Sequence, residues 1–225
     1  MKKMMIAVLL ISFLCAACTQ EQAEISQDST TEAVATSEDS SPRKIMPLPC
    51  TVDVNQLHDG TLAVSLEEGA LHKDESGNLK MHLTVHTYDL YDMVDISRMQ
   101  VGDTIYINRQ DLLITSLEET QYGSVLINGG LENGGHELRT DESGVYYETG
   151  FSDVKSYYEI GSVTLPLSEQ FVYVDASDLD LGETIWTLEE FEAMYEGVAC
   201  YFQPSSTGVV VENGVITSLT RVYVP

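Results

Sequence analysis

Positive charge is scarce in this chain of 225 residues. Eleven Lys and Arg residues stand against 36 Asp and Glu residues, and the formal net charge is -25 at pH 7. A protein that binds nucleic acid must neutralise many phosphate groups with basic side chains. The composition therefore excludes nucleic acid as a partner, and it favours neutral or cationic ligands.

The motifs of common catalytic and phosphate-binding sites are also missing. The sequence contains no Gly-x-Ser-x-Gly nucleophile elbow, no phosphate-binding loop, no dinucleotide fingerprint and no His-Glu-x-x-His zinc motif. We therefore predict no catalytic residue and no cofactor. One enzymatic alternative stays open, an envelope hydrolase that uses two of the many carboxylates, about 5 to 9 Å apart, as acid and base.

A short apolar run lies near the N-terminus. Lys2 and Lys3 precede an apolar stretch from Ile6 to Phe13, and small residues lead from there to Cys18. A helix that spans a bilayer needs roughly twenty apolar residues, and this stretch is much shorter. The order of lysines, apolar stretch and small residues is typical of an export signal.

The end of this signal, Ala16-Ala17-Cys18, resembles the lipobox of bacterial lipoproteins. In that family the cysteine is acylated with diacylglycerol and the peptide bond before it is cut. The resemblance implies cleavage between Ala17 and Cys18, lipidation of Cys18, and a membrane anchor on the extracytoplasmic side of the bacterial cell envelope. It covers residues 1–18 only, and Cys15 stands where leucine is usual. The alternative is an ordinary secretory signal that is cut near Ala17.

Composition divides the chain into three parts. We assign residues 1–17 to the signal peptide, residues 18–45 to the lipidated cysteine and a disordered acidic stalk, and residues 46–225 to a single β-rich globular domain. The stalk is rich in Ser, Thr and Glu and lacks aromatic residues, so it cannot bury enough apolar surface to fold. The remaining residues are numerous enough to form one hydrophobic core.

Two-residue periodicity dominates the folded domain. Met81, Leu83 and Val85 alternate with polar residues, and Asn213-Gly214 between two valine-rich runs predicts a β-hairpin with a type I′ turn. We predict a mainly β fold, either an antiparallel barrel or a two-sheet sandwich. An OB-like barrel is among the candidates, because Val101–Ile105 resembles the turn into a strand of such barrels.

One short helix is predicted near residues 187–195. Thr187 is a suitable N-cap, and Glu190 three residues later completes a capping box. Phe191 and Tyr195 then fall on one face of the helix, and Gly197 ends it.

Two cysteines remain in the mature domain, Cys50 and Cys200. Because the protein is predicted to be exported, we predict a disulfide between them. The alternative is two separate buried thiols.

Histidine and acidic residues give only weak indications of a metal site. His82 and His86 would share one strand face about 13 Å apart, which is too far for one metal. His136 stands beside a turn, where we expect an exposed side chain. Four carboxylates within nine residues form a weak calcium candidate, and the alternative is a solvated turn. These acids are Asp175, Asp178, Asp180 and Glu183.

Tyrosine is the aromatic residue that this chain favours, with 12 Tyr against 5 Phe. The pairs Tyr146-Tyr147 and Tyr157-Tyr158 should each place one ring in the core and one on the surface, where it either stacks on a ligand or packs at a sheet edge. We therefore predict a surface-displayed lipoprotein whose non-enzymatic β domain binds a glycan, a peptide or an envelope protein. The alternatives are the hydrolase and a structural or assembly subunit that pairs through an exposed sheet edge.

Overall fold

The fold is described from a computed structural model, which describes residues 41–197 and 201–224. Strands account for 46% of these residues and helices for 12%, so the mainly β prediction is confirmed. The predicted signal peptide and nearly all of the predicted stalk lie outside the described residues.

Fifteen strands and two α-helices make up the described part of the chain. The strands are β1 (Lys44–Ile45), β2 (Gly60–Ser65), β3 (Leu71–Lys73), β4 (Leu79–Thr87), β5 (Leu90–Tyr91), β6 (Thr104–Ile107), β7 (Gln110–Leu113), β8 (Leu117–Glu119), β9 (Val125–Ile127), β10 (His136–Thr140), β11 (Tyr146–Thr149), β12 (Tyr158–Ala176), β13 (Thr184–Thr187), β14 (Thr207–Glu212) and β15 (Val215–Val222). The helices are α1 (Met93–Ser97) and α2 (Leu188–Met194), with 3-10 turns at Leu131–Asn133, Phe151–Asp153 and Tyr195–Gly197.

Five of these strands close into a barrel. Around the barrel the order is β2, β4, β12, β15, β14 and back to β2. Every neighbouring pair is antiparallel except β12 and β15, which run parallel. Helix α2 connects the third barrel strand, β12, to the fourth, β14. This is the Greek-key connectivity of an OB-like barrel, so the barrel prediction is confirmed and the sandwich alternative is wrong.

The barrel interior follows from the predicted alternation. Met81, Leu83 and Val85 on β4 are fully buried, while His82 between them faces outward and contacts the Thr164 hydroxyl at 3.0 Å. The hairpin of β14 and β15 turns at Asn213-Gly214 with φ angles of 52° and 74°, as a type I′ turn requires.

Helix α2 closes one side of this core. The Thr187 hydroxyl accepts a hydrogen bond from the Glu190 amide, and the Glu190 carboxylate accepts one from the Thr187 amide, so the predicted capping box is present. Phe191 and Tyr195 are fully buried, with ring centroids 5.5 Å apart. The predicted helix is confirmed, with both aromatic residues on its buried face.

Residues 88–157, which we call the insertion, separate the second and third barrel strands. They contribute to two small sheets, one with the order β1-β6-β7 and one with the order β5-β11-β10-β9-β8. A second apolar core, which includes Tyr91, Ile105 and Ile127, holds the insertion together. The Val101–Ile105 turn leads into β6 of the insertion, which is not a barrel strand. The resemblance of this turn to one in OB-like barrels therefore did not locate a strand of the barrel.

The N-terminal segment joins the insertion to the barrel. Strand β1, which comes from the end of the predicted stalk, pairs in parallel with β6. Just before it, the Arg43 amide and guanidinium donate to the buried Asp103 carboxylate at 2.8 and 3.0 Å. Residues 46–52, which we call the strap, then run toward the barrel, where Val52 packs against the core.

Candidate functional site

A groove lies between the barrel, the insertion and the strap. Its volume is about 1060 Å³, which is close to the upper limit of small-molecule sites. The strap forms one wall, and the end of β4 together with the start of β12 forms another. The insertion supplies the remaining residues, including Tyr106 and Arg109.

A buried carboxyl group, that of Asp89, lies against this groove. Asp89 connects β4 to β5 and is only 8% exposed. The Tyr158 hydroxyl donates to its Oδ1 at 2.8 Å, and the Asn108 amide also donates to this carboxylate. Burial raises the pKa of Asp89 and the charge of Glu148 adds to the effect, while hydrogen bonds from Tyr158, Tyr91 and Asn108 oppose it. The carboxyl group is therefore harder to ionise than an exposed aspartate.

Glu148 is a second buried carboxylate, close enough to interact electrostatically with Asp89. It lies on β11 and is 5% exposed. The Asn108 side-chain amide donates to its Oε1 at 3.0 Å, and His136 Nδ1 lies 2.5 Å from the same oxygen. Glu148 does not line the groove itself. Its contacts fix the hairpin that carries Asn108.

The turn between β6 and β7 brings these contacts together. Asn108 and Arg109 both have left-handed backbone angles, with φ of 49° and 62°. Two successive positive φ angles form a type I′ turn, which asparagine adopts readily and arginine does not. The turn lets Asn108 reach both buried carboxylates. It also places the Arg109 guanidinium 5.9 Å from the centroid of the Tyr158 ring.

Three tyrosines surround the ammonium group of Lys155 beside the groove. We call Tyr88, Tyr147 and Tyr157 the tyrosine cage. Lys155 Nζ donates to the Tyr88 hydroxyl at 2.6 Å and lies 4.2 Å from the Tyr88 ring centroid and 5.0 Å from that of Tyr147. Tyr157 packs edge-on against Tyr88 at 5.2 Å. Cation–π attraction and these contacts hold Tyr88, a groove residue, in place.

The two predicted tyrosine pairs behave differently from expectation. Tyr146 packs against the core of the insertion, and Tyr147 belongs to the cage. Tyr157 belongs to the cage and Tyr158 to the groove. The two rings of each pair pack against different parts of the structure. None of the four is exposed, so the prediction of one surface ring in each pair is wrong.

The cysteines and the predicted lipid site are only partly described. Cys50 is exposed in the strap and lines the groove, with its Sγ 3.9 Å from the Thr87 hydroxyl. Cys200 lies outside the described residues, so the disulfide stays a prediction. Ala17 and Cys18 also lie outside the described residues.

The four acids of the calcium candidate have separate contacts. Asp175 binds Arg221 at 2.9 Å, and Asp178 accepts the amides of Asp180 and Leu181 in the loop that follows. Within residues 41–197 and 201–224, no group of three or more His, Cys, Asp or Glu side chains is arranged to hold a metal ion.

Several residues of the groove were not anticipated. We expected His136 to be exposed, which is wrong, because its side chain is only 22% exposed beside Glu148. Nothing in the sequence distinguishes Asp89 and Glu148 from the other acids. The one available signal was the Asn108-Arg109 pair between two short β-branched and aliphatic runs, since asparagine favours hairpin turns.

No family model, no curated protein and no solved structure matches this chain. Neither described helix is long and apolar enough to cross a membrane.

Proposed function

We propose that this chain is a lipid-anchored lipoprotein of the bacterial cell envelope whose groove binds a neutral oligosaccharide. The anchor rests on the lipobox resemblance at Cys18. The ligand class rests on the position and chemistry of the groove.

The position of the groove on the barrel is the observation that carries the proposal. OB barrels bind oligosaccharides and oligonucleotides on the face of their second and third strands and the adjoining loops. Here the groove lies where the second barrel strand ends at Thr87 and the third begins at Tyr158. The insertion leaves from this same point, so it adds a wall to the surface that OB barrels use.

The side chains of the groove suit a sugar. Tyr88, Tyr106 and Tyr158 offer ring faces and hydroxyl groups, and such rings lose little conformational entropy when a ligand binds. Arg109 and the exposed Glu159 are available to hydrogen-bond to hydroxyl groups. The net charge of -25 disfavours nucleic acids and other polyanions, which leaves an uncharged glycan as the better ligand.

Binding of soluble neutral glycans tests this proposal. The full chain in detergent is screened on a glycan array, and the best ligand is then titrated by calorimetry. We expect Tyr158→Ala to weaken binding about tenfold, which corresponds to about 1.4 kcal/mol. Tyr122→Ala is the matched control, because Tyr122 is 86% exposed and lies outside the groove. Equal affinities of the two variants, or selective binding of peptides, would contradict the proposal.

The buried carboxyl groups favour one second candidate, the envelope hydrolase. Burial raises the pKa of Asp89, which is the direction a general acid requires, and Asp89 lies at the groove with Glu148 close by. Incubation of the bound glycan with the full chain, followed by a reducing-end assay, distinguishes the two functions. Turnover that Asp89→Asn abolishes without loss of binding would establish the hydrolase. Binding without turnover supports the non-enzymatic function.

A further inference from the structure

Strand β13 forms an edge of the barrel sheet that no other described strand covers. It pairs with β12 on one side, and none of the strands in residues 41–197 and 201–224 lies on its other side. The Thr187 amide donates to the Glu190 carboxylate at 2.8 Å, so it points away from β12. Backbone groups alternate in direction along a strand, and the amide and carbonyl of Ile185 therefore face the same open side.

Exposed apolar side chains lie on β13 and in the loop that leads into it. Ile185 is 62% exposed, and Leu179 and Leu181 in the preceding loop are 74% and 78% exposed. Val174 lies opposite Ile185 in the register of the two strands and so shares its outward face. We call these four residues the β13 patch. Apolar side chains grouped on a surface in this way mark sites of interaction.

The segment that carries the β13 patch is itself negatively charged, and the nearest basic side chain paired to the following helix is Lys73, which binds Glu192 at 2.6 Å. Between Lys155 and Arg221 the sequence contains no Lys, Arg or His. Arg221 itself is bound to Asp175 at 2.9 Å. The exposed acids of the loop beside the patch are Asp178, Asp180 and Glu183. A ligand that binds here would therefore contact apolar side chains, the outward amide and carbonyl of Ile185, and negatively charged side chains.

The negative charge of this segment distinguishes between the ligands that could bind at the β13 edge. A second copy of the chain would bring the same acids against themselves, and residues 19–40 of this chain contain acids but no basic residue. Anionic lipid headgroups would be repelled in the same way. We propose that β13 binds an extended segment of another protein in which basic residues alternate with apolar ones, and that this segment adds to the barrel sheet as one further strand.

The geometry of β13 suits such strand addition. Main-chain hydrogen bonds to an open edge supply affinity, and alternate side chains supply specificity. On one face of the added strand, apolar side chains would contact Ile185 and Val174. Lysine or arginine side chains near the strand end would lie close to Asp178 and Glu183. Because β13 has only four residues, the added strand is short and the interaction is expected to be salt-sensitive.

A synthetic peptide tests this inference in the full chain. The probe is a ten-residue peptide that alternates lysine with valine, and its controls replace lysine by glutamate or place a proline at the centre. Trp186, the only tryptophan of the chain, lies within β13 and reports binding by its fluorescence. We expect saturable binding of the lysine peptide, at least tenfold weaker binding of both control peptides, and weaker binding at high salt.

The decisive variant is Ile185→Pro. Proline removes the outward amide and the apolar side chain but leaves the hydrogen bonds to β12 intact, so the barrel is expected to fold. Circular dichroism checks this, and Ile185→Thr serves as a second variant that keeps the amide. Leu113→Thr is the matched control, since Leu113 is 55% exposed on β7, which is also an edge strand.

We expect Ile185→Pro to lose at least tenfold in affinity, Ile185→Thr to lose less, and Leu113→Thr to bind as the unchanged protein does. Equal binding of the lysine and glutamate peptides, or unchanged binding by Ile185→Pro, would overturn the inference. Sedimentation that shows self-association through Ile185, or binding of vesicles in place of the peptide, would overturn it as well. Glycan binding in the groove is measured independently and is unaffected by either result.

Discussion

At the scale of single residues, Asp89 is the group whose surroundings depart most clearly from those of an exposed acid. Its carboxyl group is almost fully buried, and the Tyr158 and Tyr91 hydroxyls and the Asn108 amide donate to it. Burial raises its pKa above the ordinary value of 3.8. The protonated form is therefore favoured in the folded state relative to the unfolded state.

This pKa predicts how Asp89→Asn changes stability with pH. Below pH 3.8 the carboxyl is neutral in both states, and as the pH rises the unfolded chain ionises first, so the folded state loses stability up to its own, higher pKa. We expect Asp89→Asn to raise the free energy of unfolding at pH 7, and this gain to vanish near pH 3. Urea titrations at both pH values measure it, with Glu75→Gln on an exposed turn as the control. A less stable variant at pH 7 would show that the hydrogen bonds to the Asp89 carboxylate outweigh the effect of burial.

At the scale of elements, the turn of the β6–β7 hairpin places Arg109, a residue of the proposed ligand groove, in an unfavourable backbone conformation. Arg109 occupies a left-handed conformation that glycine adopts without cost. We expect Arg109→Gly to raise the free energy of unfolding by about 0.5 to 1 kcal/mol. The same change removes the guanidinium next to Tyr158 and should weaken glycan binding. Thermal melts measure the change in stability, and calorimetry measures the change in glycan binding. Arg109→Lys is the control, because lysine has the same unfavourable left-handed backbone conformation and should give no gain in stability.

Elements specified by neighbouring residues were predictable from the sequence. The alternation on β4, the capping box at Thr187 and the Asn213-Gly214 turn each depend on a few adjacent side chains, and all three are present. The parallel pairing of β12 with β15 depends instead on contacts between distant segments. One sequence contains no local signal for such contacts.

The groove was harder to predict than the barrel. Asp89 lies in the link after β4 and Glu148, behind the groove, lies on β11 of the insertion, and 36 acids in the chain offer no reason to select these two. Tyr158 was noted as part of a tyrosine pair, but its position at the start of the third barrel strand follows only from the fold. The wall formed by the strap was not predicted, because the strap follows β1, and β1 lies within the segment that was predicted to be a disordered stalk.

At the scale of the whole molecule, the anchor at Cys18 is open to a direct test. We expect Cys18→Ser to release the protein from the membrane fraction and to abolish labelling by a fatty-acid probe, because the lipobox resemblance assigns acylation to Cys18. Cys15→Ser is the control and should leave labelling unchanged. Labelling that persists in Cys18→Ser would refute the assignment.

The Cys50–Cys200 disulfide is a second prediction at this scale. It would close a loop of about 150 residues and stabilise the fold by up to about 5 kcal/mol in the chain-entropy model. We expect the mature protein to resist alkylation until it is reduced, and then to gain two alkyl groups by intact mass. Two thiols that alkylate without reductant would refute the pairing.

The strap gives the groove a mechanical role when the protein is held by its N-terminus. Tension along such a tether enters the fold at Arg43, whose guanidinium and amide donate hydrogen bonds to the buried Asp103 carboxylate. From there it passes through the β1–β6 pairing into the insertion. The next covalent stretch is residues 46–52, which form a wall of the groove. A pull on the tether would therefore strain this wall of the groove before it reached the closed barrel, and ligand binding at the proposed site would then respond to force while the barrel stayed intact.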